Sequence, residues 1–205
     1  MAMAKDKNGL TENEFLRLYD VTKYFRPSVT VDAILHDIGA HGGKVLLIKR
    51  GGHPFIGDYA FPGGFVEEDE DCETAVAREL FEETNVDDIK LSQLVTVSTP
   101  NRDPRWRNIT VVYAARIDGG IKAVGGDDAD DAKIFDFTYE RHGEFADMRF
   151  CADGVDPFDV RVKLVFDAFG CVDLNKSVIV NRGSIAFDHA KIICYLTEKL
   201  RGAKA

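Results

Sequence analysis

Residues 63–86 read GGFVEEDEDCETAVARELFEETNV, and the rest of the chain is best understood by working outward from them. Residues 75–84 contain neither glycine nor proline and consist largely of good helix formers, which predicts a helix. On that helix Glu79, Glu82 and Glu83 share one face, where like charges repel by about 0.2–0.5 kcal/mol per pair. Two interpretations follow: a solvated acidic face, or a site for hard cations such as Mg²⁺ that prefer oxygen ligands.

Composition places the chain among ordinary soluble globular proteins, with 205 residues, 45% of them hydrophobic and 30% charged. A net charge of −9 argues against a nucleic-acid partner, because nonspecific binding needs a basic surface. No apolar run approaches the roughly 18 residues that cross a bilayer, and residues 1–8 lack the apolar core of a signal peptide. Four cysteines without a CxxC pair favour a reducing compartment. We therefore expect a cytoplasmic protein with no membrane partner.

Alternating hydrophobicity predicts a strand over 28–36, paired in a hairpin with 44–50 across a glycine-rich turn. Further strands are expected at 91–99, 108–117 and 132–137, a second hairpin from 161–169 and 177–180, and helices at 12–19 and 185–201. Strands mixed with few helices indicate an α+β fold, an α/β/α sandwich with a mixed sheet between helices.

The acidic stretch matches the pattern G-x5-E-x7-R-E-U-x-E-E-x-G-U, where U is a bulky aliphatic residue. The matching positions are Gly64, Glu70, Arg78, Glu79, Leu80, Glu82, Glu83 and Val86. Asn85 departs from the pattern, which has glycine there. That position follows the helix C-terminus, where a left-handed conformation is common and asparagine is the next-best residue.

By this pattern the chain resembles the Nudix hydrolase family. The resemblance implies that Glu79, Glu82 and Glu83, with the Gly64 carbonyl, hold Mg²⁺ or Mn²⁺. It also implies that Arg78 and Glu70 join the loop to the helix and orient Glu79. Catalytic roles then fall to Glu82, Glu79 and Arg78, although for Arg78 a structural ion pair is an equal alternative. The resemblance implies one Nudix domain over 19–205, preceded by a tail and short helix over 1–18.

Flanking segments resemble the ADP-ribose pyrophosphatase branch of this family, which also includes transcriptional regulators of NAD metabolism. These segments are RPSVTVDAIL (26–35), KVLLIKRGGHPFIGDYAFPGGF (44–65), NRDPRWRNITVVYAA (101–115), GGDDADDAKIF (125–135) and AFDHAKII (186–193). The similarity covers residues 19–137 and 184–200. Residues 138–183 resemble no family segment, and we expect them to form an inserted hairpin, lid or dimer surface.

Outside the helix, Asp127 and Asp128 lie where many family members place a further acidic ligand or base, and Asp128 is the favoured catalytic candidate. Arginine binds phosphate with two parallel hydrogen bonds, so Arg102, Arg105, Arg107 and Arg50 are candidate substrate-binding residues, against surface ion pairs with Asp103. Stacking on adenine is open to Phe55, Tyr59 and Trp106, although each is more often a core or rim residue. His189 is the weakest candidate.

The resemblance implies an enzyme that hydrolyses ADP-ribose to AMP and ribose 5-phosphate and forms a homodimer. Another nucleotide sugar, a dinucleotide or an oxidised nucleotide is the alternative substrate. The alternative of another class is an ADP-ribose-sensing regulator. Such regulators carry a winged-helix module after the Nudix domain, and we expect none here, because the chain ends at Ala205 and every acidic position of the pattern is kept.

Overall fold

A computed structural model of the protein describes residues 4–117 and 132–202. The strands, in chain order, are β1 (Ser28–Gly39), β2 (Gly42–Lys49), β3 (Tyr59–Ala60), β4 (Gly63–Phe65), β5 (Ser92–Val97), β6 (Asn108–Arg116), β7 (Ala132–His142), β8 (Phe145–Ala152), β9 (Val155–Lys163) and β10 (Val178–Asn181). The helices are α1 (Glu12–Leu18), α2 (Cys72–Thr84) and α3 (His189–Gly202).

All ten described strands belong to one mixed sheet in the order β10-β9-β8-β7-β2-β1-β6-β5, with β3 paired to β2 and β4 to β1. Strands β1 and β6 run parallel, and the other named pairs are antiparallel. The sheet therefore brings β1, which carries the N-terminal strand pattern, to a central position beside the glycine strand β4 that precedes α2.

Helices cover both faces of this sheet, which confirms the predicted α/β/α sandwich. Along β1, Val31, Ala33 and Leu35 pack in the apolar cluster that includes Val76 and Leu80 of α2. The intervening Ile34 and Ile38 pack in the opposite cluster, which includes Ile192 and Ile193 of α3. Successive side chains of a strand point to opposite faces, so one central strand supports both helix layers.

The first hairpin is confirmed, with longer strands than predicted. The sequence placed a turn at 37–43, whereas β1 continues to Gly39 and β2 begins at Gly42. Gly42 adopts φ +110°, and a Cβ on it would lie 2.0 Å from the Phe137 carbonyl oxygen. Glycine is thus required at this point because the β7 backbone runs directly against it.

Residues 138–183 extend the same sheet. Strand β7 continues five residues beyond the predicted end at 137, and β8 was not predicted. Strand β9 overlaps the predicted strand 161–169 only at residues 161–163. The turns between them contain Gly143 (φ +63°) and Gly154 (φ +70°), and Asp153-Gly154 is a recognisable hairpin signal. The predicted hairpin is correct in its pairing, because β9 pairs with β10, but β9 ends at Lys163.

The two ends of α2 follow from its capping residues, Asp71 and Asn85. Helix α2 begins three residues earlier than predicted because the Asp71 carboxylate accepts a hydrogen bond from the Thr74 N–H at 2.8 Å, an N-cap. It ends at Thr84, and the C-cap Asn85 is left-handed (φ 53°, ψ 22°) as expected. Helix α3 begins at His189, four residues after the predicted start. In the described part of the chain no helix has the length and apolar character needed to cross a membrane.

Candidate active site

The predicted acidic face forms one wall of the site, and Arg78 ties it together. The Arg78 guanidinium donates two hydrogen bonds to Glu70 (3.1 and 2.7 Å), one to Glu79 (2.9 Å) and one to Glu82 (3.2 Å). It also donates to the Phe65 carbonyl oxygen at 3.1 Å. These contacts join the loop before α2 to the helix, and Arg78 is not part of the lining of the cavity described below.

Glu79 lies directly against Gly64. A Cβ at Gly64 would come within 2.2 Å of Glu79 Oε1, so the glycine creates the space that this carboxylate occupies. Burial raises the pKa of Glu79, while the hydrogen bond from Arg78 opposes that rise. The first glycine of the pattern and its first helical glutamate are therefore parts of one packed arrangement.

Glu83 points to the same loop, where its carboxylate accepts a hydrogen bond from the Gly63 N–H at 2.8 Å. Burial raises the pKa of Glu83 to about 7, with the negative charges of Glu79 and Asp32 adding to the effect. A carboxylate held among other carboxylates in a partly buried place is a group whose charge a cation would stabilise.

Glu82 is the most open of the three, with 56% of its side chain exposed. It lines a recess of about 360 Å³ together with Glu83, Arg50, Gly51 and Gly52. Across residues 4–117 and 132–202, no three His, Cys, Asp or Glu side chains converge closely enough to hold a metal ion. Arg78 draws Glu79 and Glu82 toward itself, and Glu83 turns to the Gly63 N–H. The hard oxygen donors suit Mg²⁺ or Mn²⁺, and binding would require these side chains to exchange partners.

A cavity of about 220 Å³ lies beside this acidic wall, between β1, the segment that contains Gly63 and Gly64, and the start of α3. Its lining includes titratable residues from four segments: Asp32, Arg50, Arg102, Asp103, Arg105 and His189. Its apolar and aromatic lining comprises Val31, Ala60, Phe61, Phe65 and Phe187. Arg50 lines both this cavity and the recess at Glu82, so the two spaces meet at this residue.

The four candidate arginines have different surroundings. Arg50 donates from Nε to the Pro54 carbonyl oxygen at 2.8 Å, and its guanidinium lies 4.8 Å from the Phe187 ring centre. Burial, followed by repulsion from Arg105, lowers the pKa of Arg50. Arg105 is half-exposed, paired with Asp103, and 5.5 Å from the Phe65 ring centre. Both residues line the cavity.

Arg102 and Arg107 are less suited to bind substrate. The Arg102 side chain is only 4% exposed, donates two hydrogen bonds to Asp188 (3.1 and 2.7 Å) and a third to the Asn108 side chain (2.8 Å). Its guanidinium is thus occupied in holding the 101–108 loop against the start of α3. Arg107 donates to the Asn108 carbonyl oxygen at 3.1 Å and is not part of the cavity lining.

The aromatic candidates for stacking on adenine also differ in their surroundings. Phe55 packs edge to face on Phe187 at 4.9 Å and lines a different recess behind the cavity. Tyr59 is buried in the core, and Trp106 is exposed beside Phe25. Asp127 and Asp128 lie outside the described residues.

Three cavity residues were missed or given little weight by the sequence analysis. Asp32 is a buried charged residue between the apolar residues Val31 and Ala33 of β1, and that position was the signal available for it. Phe187 adopts φ +51°, an uncommon conformation for a bulky residue. His189, the weakest sequence candidate, is buried in the cavity wall. Residues 187–189 thus contribute to the lining of the cavity, whereas the sequence pattern predicted only that they begin a packed helix.

Comparison with known proteins identifies the family that the chain is similar to. A family model for the NUDIX domain matches residues 26–149. The chain is 46% identical over 116 residues to an ADP-ribose pyrophosphatase from Methanocaldococcus jannaschii, covering 56% of this chain and 65% of that protein. It is 35% identical over 112 residues to an ADPR responsive transcriptional repressor, NtrR, from Acinetobacter baylyi, covering 54% of this chain and 45% of the repressor.

Among solved structures, a MutT/nudix family protein from Enterococcus faecalis is 34% identical, with a TM-score of 0.65. The alignment covers 95% of this chain and 70% of that one. The chain therefore belongs to the Nudix family. It spans less than two thirds of the length of the two curated relatives, so their complete activities do not transfer directly.

Proposed function

We propose that this protein is a Nudix pyrophosphohydrolase that cleaves ADP-ribose to AMP and ribose 5-phosphate with Mg²⁺ or Mn²⁺. The observation that carries the proposal is the junction at Arg50. There, the acidic face of α2 meets a cavity with aromatic walls and arginine side chains, which are groups that recognise a nucleoside and its phosphates. The similarity to the Methanocaldococcus ADP-ribose pyrophosphatase supports the choice of substrate.

The residues that would hold the metal are Glu79, Glu82, Glu83 and the Gly64 carbonyl, a set composed entirely of oxygen donors. A bound divalent ion would supply charge screening for the diphosphate and an acidified water. The protein's own contribution is to keep these donors on one rigid helix face, with Arg78 setting the position of Glu79. Without a cation, the same face would repel an anionic substrate.

Around this face, Arg50 and Arg105 would orient the diphosphate, because both residues line the cavity and their guanidinium groups carry hydrogen-bond donors suited to phosphate oxygens. Phe187 and Phe65 offer ring surfaces beside those arginines. Glu82 is exposed enough to reach solvent and is the candidate to accept a proton from water. Asp128 remains a candidate base on sequence grounds.

A regulator that binds ADP-ribose without cleaving it is the second candidate, favoured by the similarity to the ADPR responsive repressor. The intact set of acidic residues on α2 supports the enzyme over this alternative. Another nucleotide sugar or a dinucleotide would use the same phosphate groups and stays an alternative substrate.

We also propose a homodimer. Residues 15–25 carry seven large apolar side chains that are at least 43% exposed, and α1 buries none of its residues. Such a concentration of exposed apolar surface marks an interaction site on a soluble protein.

The assignment to the cytoplasm is supported by the four cysteines, which are all free thiols.

One assay tests the proposed reaction. Purified protein with ADP-ribose and Mg²⁺ should yield AMP and ribose 5-phosphate in equal amounts, separated by chromatography, and excess EDTA should abolish both. A panel of nucleoside diphosphate compounds and triphosphates ranks the substrates by kcat/KM. Binding of ADP-ribose without product would favour the regulator, and a triphosphate preferred tenfold or more would refute the ADP-ribose assignment.

A further inference from the structure

A carboxylate and an imidazole stand side by side in the cavity wall, apart from the acidic face of α2. Asp32 Oδ2 accepts a hydrogen bond from the Thr110 hydroxyl at 2.5 Å. The other carboxylate oxygen, Oδ1, lies 3.6 Å from His189 Nε2, too far for a hydrogen bond between them. Thr110 thus holds Asp32 in place, while Asp32 Oδ1 and His189 Nε2 are left without a hydrogen-bond partner within residues 4–117 and 132–202.

The surrounding backbone fixes the tautomer of His189. The Phe61 N–H donates to His189 Nδ1 at 3.0 Å, so Nδ1 is the acceptor and the ring proton of the neutral imidazole sits on Nε2. Burial lowers the pKa of His189, which keeps the ring neutral. The structure therefore presents an acceptor, Asp32 Oδ1, next to a donor, His189 Nε2–H.

Both of these atoms face the cavity. Neither Asp32 Oδ1 nor His189 Nε2 has a hydrogen-bond partner among the described residues. Yet the described part of the chain contains no fully buried side-chain nitrogen or oxygen that lacks a partner. The two atoms must accordingly open to the space that Asp32 and His189 line.

The walls around this pair suit a flat ring. Phe187, Phe61 and Phe65 line the cavity, and Phe61 stacks on the His189 ring at 4.5 Å. At about 220 Å³ the cavity is smaller than the roughly 300–1,000 Å³ of a complete ligand pocket, so it accommodates one part of a nucleotide. Aromatic walls favour the base over a sugar, whose ring has no π surface to stack.

We propose that this cavity binds the base of the substrate and selects a 6-aminopurine. Asp32 Oδ1 accepts a hydrogen bond from the exocyclic amino group, and His189 Nε2–H donates to the neighbouring ring nitrogen. A 6-oxopurine in the same orientation would place its carbonyl oxygen against the Asp32 carboxylate and a ring N–H against the His189 N–H. Adenine would therefore be preferred to hypoxanthine. This inference rests on the proposed nucleotide substrate and adds the residues that read its base.

Binding of AMP and IMP, measured by calorimetry without divalent ions, tests the inference. The wild-type protein should bind AMP at least about tenfold tighter than IMP, because a site built for one hydrogen-bond pattern rejects the opposite one. In Asp32→Asn the carboxamide can donate to the IMP carbonyl, so the AMP/IMP ratio should fall about tenfold. A purely structural role for Asp32 would weaken both ligands alike and leave the ratio unchanged, which would overturn the proposal.

Asp103→Asn is the matched control, since it makes the same chemical change in the same cavity. Both Asp103 oxygens are already bonded to Arg105, so this variant should leave the AMP/IMP ratio near its wild-type value. A ratio shifted as far as in Asp32→Asn would overturn the assignment to Asp32. If Asp32→Asn does not fold, the wild-type comparison decides, because equal affinities for AMP and IMP overturn base selection.

The two proposals fail separately. Selective AMP binding without hydrolysis of ADP-ribose would refute the hydrolase and leave base selection standing. Hydrolysis of ADP-ribose and IDP-ribose with equal kcat/KM would refute base selection and leave the hydrolase standing.

Discussion

Replacing Glu83 by glutamine should change how the stability of the metal-free protein depends on pH. The native state holds the Glu83 proton up to about pH 7, whereas the unfolded chain releases it near 4.5. Because the native state binds this proton more tightly, the contribution of Glu83 is greatest below pH 4.5 and is lost as pH rises through 7. From pH 5.5 to pH 8 the loss amounts to about 2 kcal/mol in the free energy of unfolding.

Thermal unfolding in EDTA at the two pH values measures this loss. For a chain of this size, 1 kcal/mol shifts Tm by roughly 2–4 °C, so the wild type should lose roughly 4–8 °C more than Glu83→Gln between pH 5.5 and pH 8. The difference between the two proteins cancels the other titrating groups. Glu68→Gln, which removes an exposed carboxylate of the loop before α2, should follow the wild type.

Mg²⁺ should reverse the effect. An ion that takes the place of the Glu83 proton binds better as that proton leaves, so added Mg²⁺ should raise the wild-type Tm more at pH 8 than at pH 5.5. Glu83→Gln should lose most of this pH-dependent gain. If Tm depends on pH in the same way for the wild type and Glu83→Gln, with and without Mg²⁺, the interpretation of Glu83 as a buried carboxylate that binds a cation is refuted.

Two further substitutions distinguish a residue needed for catalysis from a residue needed for stability. Glu82→Gln should lower kcat for ADP-ribose by at least about 10²-fold, the loss typical of a strong electrostatic contributor, while Glu68→Gln stays within a few-fold; equal small losses would mean that catalysis lies elsewhere. Arg102→Met should destabilise the protein by about 3–5 kcal/mol in urea unfolding, because it leaves the buried Asp188 carboxylate unpaired. Arg107→Met should cost less than about 0.5 kcal/mol, and similar losses in both would contradict the structural role of Arg102.

Local sequence was sufficient wherever a feature depends on neighbours in the chain. The spacing of Glu79, Glu82 and Glu83 fixes their common face because a helix repeats every 3.6 residues. The left-handed Asn85 at the end of α2 follows from the same local logic. The central hairpin followed from the alternation over 28–36 and the glycine-rich turn before β2, although the structure shows that β1 buries both of its faces against helices.

Strand limits and the extension over 138–183 could be predicted only in part. The turn at Asp153-Gly154 was a legible signal for the β8–β9 hairpin. However, adding these strands to the same sheet depends on pairing between β2 and β7, residues separated by about ninety positions. Such long-range pairing is chosen by burial of the whole face rather than by any local preference.

The candidate site likewise has one part that local sequence predicts and one part that depends on the tertiary structure. Sequence determined the acidic wall, since its glutamates and Arg78 lie within one helical segment whose pattern is specific. Only the tertiary structure brought Asp32 of β1, the arginines of two loops and His189 of α3 around one cavity. It also decided that Arg102, which lines the same cavity as Arg50 and Arg105, is buried and paired with Asp188. The physical reason is that desolvation and pairing, which decide what a charged side chain can do, depend on neighbours that the chain supplies from far away.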